Sequence, residues 1–158
     1  MENEILASLK QAHPYEEVAY DIYPISNIHQ RIGAGMIGNL EDAVDASEFL
    51  LQVKNILQDG SIRHTKFENT KNQKIAVCGG SGSFLIKDAM NCKADIYMTG
   101  DIKYHYFFIP ENQMILADIG HYESEQFTKE LIYTLLKKKF TTFALFISGT
   151  STNPVNYL

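Results

Sequence analysis

Cysteine, proline, basic charge and long apolar runs are all scarce in this 158-residue chain, and each scarcity excludes something. The two cysteines, Cys78 and Cys92, form no C-x-x-C pair. They read as two buried thiols in a reducing cytosol rather than as a disulfide scaffold. Four prolines and 21% charged residues argue against disorder, and 45% hydrophobic residues suffice for a buried core. No stretch approaches the ~20 apolar residues needed to span a bilayer. The start, Met1-Glu2-Asn3-Glu4, is polar and acidic, unlike a signal peptide. A soluble, cytoplasmic protein without membrane contact is expected. Basic residues number 14 against 19 acidic ones, for a net charge of −5. The run Lys137-Lys138-Lys139 ends an amphipathic helix, where cations suit the helix dipole. A nucleic-acid partner is therefore disfavoured.

The length suggests one compact domain, but the pattern along the chain is uneven. Ile5, Leu6, Leu9 and Ala12 recur at helical spacing, and Val18, Tyr20, Ile22 and Tyr23 then read as a strand ending at Pro24. That helix-strand pair has no nearby strand to satisfy its backbone. The glycine-rich segment 31–40 reads as extended, with Ile32, Ala34, Met36 and Ile37 as buried positions. A helix follows from Asp45, capped by Ser47, with Phe49, Leu50, Val53, Ile56 and Leu57 on its apolar face. Residues 62–67 read as a short strand and 69–73 as a polar turn. Then comes an α/β rhythm: strand 74–78, loop 79–83, helix 84–90, strand 95–98, loop 99–101 and short helix 102–108. Strand 114–119, long helix 121–140 and a last strand 143–147 complete it. This alternation predicts a mixed, partly parallel sheet flanked by helices.

In such folds ligands bind beyond the carboxyl ends of the strands. Three glycine-rich or polar loops fall there: Gly79-Gly80-Ser81-Gly82-Ser83, Thr99-Gly100-Asp101 and Asp118-Ile119-Gly120-His121. His121 and Glu125 stand at i and i+4, on one helix face, a spacing that lets an imidazole and a carboxylate share a divalent cation. The plainer account is an acidic first turn with a surface histidine. Gly80, Ser81 and Gly82 are candidate anion-binding backbone, although a tight turn needs glycine anyway. Asp101 and His105, also four apart, are candidates to orient a water or a substrate. His13-Pro14-Tyr15-Glu16-Glu17 reads as a polar turn, and His29 and His64 as surface residues. A Ser81–His121–Asp118 nucleophilic arrangement lacks the G-x-S-x-G elbow and is disfavoured.

Taken together, HPYEEVAYDIYPI, IGAGMIGNL, AVCGGSGSFLIKDA, ADIYMTGDIKYH, ADIGHYESEQF and TNPVNYL resemble, in order, the carboxyl-terminal part of the NIF-three-like dinuclear metal-centre family, the GTP cyclohydrolase type-two homologues. The resemblance implies that His121 and Glu125 are metal ligands. It implies two divalent ions of the zinc, manganese or iron class per intact subunit, self-association into a hexameric ring, and a nucleotide-like small-molecule substrate for a metal-dependent hydrolase. A non-catalytic, ring-forming regulatory protein is the alternative. The family's other ligands include a His-His pair, which this sequence lacks. Residues 1–27 resemble the end of a ferredoxin-like, CutA/PII-like insertion, and 28–158 the second half of the α/β core. The expectation is a piece of a longer protein. Two ligands cannot hold a dinuclear centre, so this chain alone should bind metal weakly or not at all.

Overall fold

The computed structural model describes residues 2–23, 32–58, 60–67 and 71–157. The chain divides into two compact units, Met1–Ile32 and Gly33–Leu158. In the first, the apolar spacing forms helix α1 (Glu2–Ala12) as expected. Lys10 lies over the Tyr20 ring at 5.5 Å. The expected strand over 18–23 is absent: these residues have no regular structure, consistent with a segment that has no pairing partner among the described residues. Pro24 and His29 lie outside the described residues.

The second unit is a five-stranded mixed sheet in the order β1-β3-β4-β5-β2. The strands are β1 (Met36–Val44), β2 (Arg63–His64), β3 (Asn72–Ser81), β4 (Ile96–Gly100) and β5 (Ile115–Asp118). The central three run parallel, and both edges, β1 and β2, are antiparallel. Period-two alternation sends β4 and β5 side chains to two separate cores. Tyr97 and Leu116 join Ala76, Cys78, Ile86, Ala89 and Ile102 on one face. Ile96, Met98, Ile115 and Ala117 face the other, where Ala46, Leu50 and Ile119 cover them. Helix α2 (Ala46–Leu57) makes that second layer, with Phe49, Val53 and Leu57 packed against it, while Ile56 stays exposed. Its cap is Asp45 rather than Ser47: the Asp45 carboxylate accepts from the amides of Ser47 and Glu48 at 2.8 and 3.2 Å. A carboxylate also answers the dipole, which a hydroxyl does not.

Other differences are local. Strand β3 extends through Gly79, Gly80 and Ser81, read as loop, because its far end still pairs with Gly100 of β4. Asn72, expected in a polar turn, is buried in β3. Strand β2 has two residues instead of six. The helix expected over 84–90 is a 3-10 turn, Ser83–Leu85, leading into α3 (Ile86–Asn91), and 102–108 is a 3-10 turn over Tyr104–Phe108. Ile32, Met36 and Ile37 are exposed, since they belong to or precede an edge strand. Cys78 is buried, but Cys92 is exposed at the end of α3.

The long final helix divides at Gln126 and Phe127 into α4 (His121–Glu125) and α5 (Thr128–Lys139). The Gln126 side-chain Nε2 donates to the Leu57 carbonyl at 2.6 Å, while its backbone amide keeps the helical bond to the Tyr122 carbonyl. No residue of α5 is buried: Leu131, Ile132, Leu135 and Leu136 all remain exposed. Residues 143–147, expected as a strand, pair with no strand among the described residues, and Phe146 is 92% exposed. No described helix is long and apolar enough to cross a membrane.

Candidate functional site

Strands β3, β4 and β5 run parallel, so their carboxyl ends meet along one rim, and polar side chains cross-link the three segments there. The Gly80 amide donates to Ser124 Oγ at 2.9 Å, tying β3 to α4. Buried Thr99 ties β4 to β3: its Oγ1 accepts from the Gly82 amide at 2.8 Å and donates to the Gly80 carbonyl at 3.0 Å. Tyr97 adds a hydroxyl donated to the Gly82 carbonyl at 2.8 Å. Burial pushes that phenol up to about 12, with Cys78 beside it adding to the shift. The glycine segment is thus committed to holding the rim together. The amides of Gly80 and Gly82, read as an anion cradle, are already engaged.

Gly80 has a different use. Its φ is +63°, and a Cβ there would lie 2.4 Å from Glu125 Oε1 and 3.4 Å from His121 Nε2. Glycine suits the left-handed backbone and leaves open the space in front of these two groups. Gly100, at the end of β4, serves a similar close approach, because a Cβ would meet His121 N at 2.8 Å and His121 Cα at 2.9 Å. Strand β4 therefore runs directly against the start of α4. The next residue, Asp101, has φ +56°, and its Oδ2 sits 2.6 Å from His121 Nδ1. On the opposite side of the ring, Nε2 lies 3.3 Å from Glu125 Oε2. The hydrogen bond to Asp101 holds His121 above the usual histidine range; burial opposes this, and the charges of Asp101 and Glu125 reinforce it.

These positions fit a cation. Two protein ligands at about 2.1 Å from one tetrahedral ion are separated by roughly 3.4 Å, close to the 3.3 Å between Nε2 and Oε2. They fit as one side of a site only, since no third histidine, cysteine or acidic ligand joins them among the described residues. Asp101 cannot be that third ligand to the same ion, because it faces the other ring nitrogen.

The pair opens onto a cavity of about 770 Å³. Its lining includes residues with no recognisable sequence signal. Arg63 donates to the buried Asp118 carboxylate and to the Ile102 carbonyl, the latter at 2.9 Å. Glu123 is buried, and its Oε1 accepts from the Asn153 side-chain Nδ2 at 3.3 Å. Arg63, in a two-residue strand, carries no period or motif that could have singled it out, and Asn153 lies in the TNPVNYL block, which marks the resemblance without giving that residue a role. Asp118 also accepts from the Ile102 and Gly120 amides at 3.1 and 3.3 Å. It is a structural anchor and not the partner of His121, which disposes of the Ser81–His121–Asp118 arrangement. His105 makes an edge contact with Tyr104 and does not line the cavity, so only one member of the Asp101/His105 pair reaches the site. His64, exposed as expected, stacks on Phe67 at 4.2 Å.

A mixed α/β sheet carrying an imidazole–carboxylate pair at its carboxyl rim defines the class: an α/β protein with one side of a candidate metal centre. The chain belongs to the Duf34/NIF3 (NGG1p interacting factor 3) family, whose model matches residues 3–154. It is 36% identical to the "GTP cyclohydrolase 1 type 2 homolog" of Bacillus subtilis, a match covering 100% of this chain and 43% of that protein. Among solved structures it resembles Staphylococcus aureus protein SA1388, with a TM-score of 0.75, 30% identity and coverage of 99% of this chain and 46% of that one. It also resembles the Bacillus cereus protein related to NIF3, with a TM-score of 0.70, 30% identity and coverage of 99% and 44%. The chain thus spans less than half the length of these relatives.

Proposed function

We propose that this chain contributes one side of a divalent-metal centre to a metal-dependent hydrolase acting on a nucleotide-like small molecule. One observation carries the reading: His121 Nε2 and Glu125 Oε2 stand 3.3 Å apart in front of a glycine whose missing side chain keeps the space open. The "GTP cyclohydrolase 1 type 2 homolog" name of the relatives supports the substrate class by analogy alone. A bound divalent ion supplies Lewis-acid charge for hydrolysis. His121 and Glu125 hold it, Gly80 keeps its approach clear, and Arg63, anchored on Asp118, presents a cation to the same cavity. The remaining ligands come from outside the described residues, and in the intact assembly two zinc-, manganese- or iron-class ions are held per subunit. Equilibrium dialysis against zinc and manganese tests the reading. Weak binding that His121→Ala with Glu125→Ala removes supports it, and binding unchanged by that double substitution overturns it.

Self-association, expected both of this hydrolase reading and of the non-catalytic, ring-forming alternative, is supported by a separate observation. Helix α5 leaves Leu131, Ile132 and Leu135 uncovered, and isolated chains rarely leave such a contiguous apolar face to water. Sedimentation at micromolar concentration decides: a lone monomer counts against self-association by this chain.

A further inference from the structure

We infer that Asp101 is a positioning residue, which fixes the proton of the neutral His121 ring on Nδ1 and thereby leaves Nε2 as an electron-pair donor facing Glu125. A neutral imidazole has one N–H and one acceptor nitrogen, and a carboxylate can only accept. With Asp101 Oδ2 2.6 Å from Nδ1, the proton belongs on Nδ1. Nε2 then faces the Glu125 carboxylate at 3.3 Å with its lone pair. Two acceptors facing each other is an arrangement that a second proton on Nε2 resolves at lower pH and a cation between them resolves once the ring is neutral, whereas the opposite tautomer would place the lone pair toward Asp101 and block Nε2 with a proton. Histidine ligands are commonly oriented in this way by a carboxylate on their other nitrogen.

The backbone holds Asp101 in place from two directions. Its φ of +56° is a left-handed conformation that aspartate tolerates better than most residues. Gly100, just before it, lies against the first residue of α4 so closely that a methyl group would meet backbone. The carboxylate is therefore delivered by the end of β4 and the ring by the start of α4. Neither depends on a long, freely rotating side chain. Asp101 thus acts on the ligand, and His105, four residues on, does not line the cavity.

The consequence for metal binding rests on the reading of His121 and Glu125 as ligands; the tautomer does not. Long-range proton–nitrogen NMR correlations on nitrogen-labelled, metal-free chain report which ring nitrogen carries the proton. The spectrum is taken on the neutral ring, at a pH raised past the ordinary histidine range until the His121 nitrogen shifts stop changing. The wild-type ring should show a single Nδ1–H tautomer. Asp101→Gly suits the positive φ while removing the carboxylate, and its ring should populate both tautomers. A wild-type ring protonated on Nε2, or an Asp101→Gly ring indistinguishable from wild type, overturns the inference. Zinc titrated into the same samples should perturb the His121 nitrogens, with a midpoint about tenfold or more higher in Asp101→Gly. If zinc leaves the wild-type ring untouched while the tautomer results hold, the metal reading fails and the positioning role stands.

Discussion

Replacing Gly100 with alanine should do more damage than its size suggests. The added Cβ would lie 2.8 Å from His121 N, 2.9 Å from His121 Cα and 3.0 Å from Gly120 C, all backbone atoms. Ordinary contact begins at 3.4 Å. The end of β4 and the start of α4 must therefore separate by about half an ångström, and no side-chain rotation can relieve it. Insertions of this kind into packed structure cost about 1–3 kcal/mol. For a domain of this size each kcal/mol lowers Tm by roughly 2–4 °C. Gly38→Ala is the internal control, because a Cβ at Gly38 meets nothing within 4 Å. Urea unfolding followed by circular dichroism should give a lower midpoint with unchanged slope for Gly100→Ala, and a change within about 0.5 kcal/mol for Gly38→Ala. The NMR signals of His121 should also shift in the first variant. Equal midpoints for the two would refute the claim that β4 and α4 are in backbone contact.

Three further outcomes follow from the same geometry. Gly80→Ala places a methyl group at φ +63° against the Glu125 carboxylate, so it should cost about 1–2 kcal/mol in backbone strain and abolish zinc perturbation of His121, as read by urea unfolding and NMR. On alkaline titration followed by ultraviolet absorbance, one tyrosine should ionise late, near 12, and Tyr97→Phe should remove that step. Because the Tyr97 phenol is raised above its unfolded value, its stabilising contribution is complete below the ordinary tyrosine range and is lost as pH rises through the folded value. Leu116→Ala should cost about 2–5 kcal/mol by emptying a buried site, whereas Leu131→Ser should change chemical stability by less than about 0.5 kcal/mol, since Leu116 is buried and Leu131 is 60% exposed.

The elements legible in the sequence are those whose pattern is local. The alternation Ile96-Tyr97-Met98 and the helical spacing of Leu50, Val53 and Leu57 each state which face is buried, and the two cores use those faces. Segments whose state depends on a partner were misread. Residues 143–147 have strand composition but no ladder among the described residues, and residues 18–23 likewise. Propensity marks a segment as able to pair but supplies no second strand. At the site, the i,i+4 spacing of His121 and Glu125 was visible because a helix fixes it. The Asp101–His121 contact was not, since it spans twenty positions and depends on how closely Gly100 lets β4 meet α4. Arg63 on Asp118 and Asn153 on Glu123 are equally long-range, at 55 and 30 positions apart.

The proposed metal centre requires one turn of α4 to direct an imidazole and a carboxylate at the same ion. Crystals of this chain grown with abundant zinc, measured at the zinc absorption edge, examine it most directly. An anomalous peak is expected between His121 Nε2 and Glu125 Oε2, at about 2.1 Å from each, with water completing the coordination. A map in which zinc sits elsewhere on the surface while these two side chains diverge into solvent would contradict it.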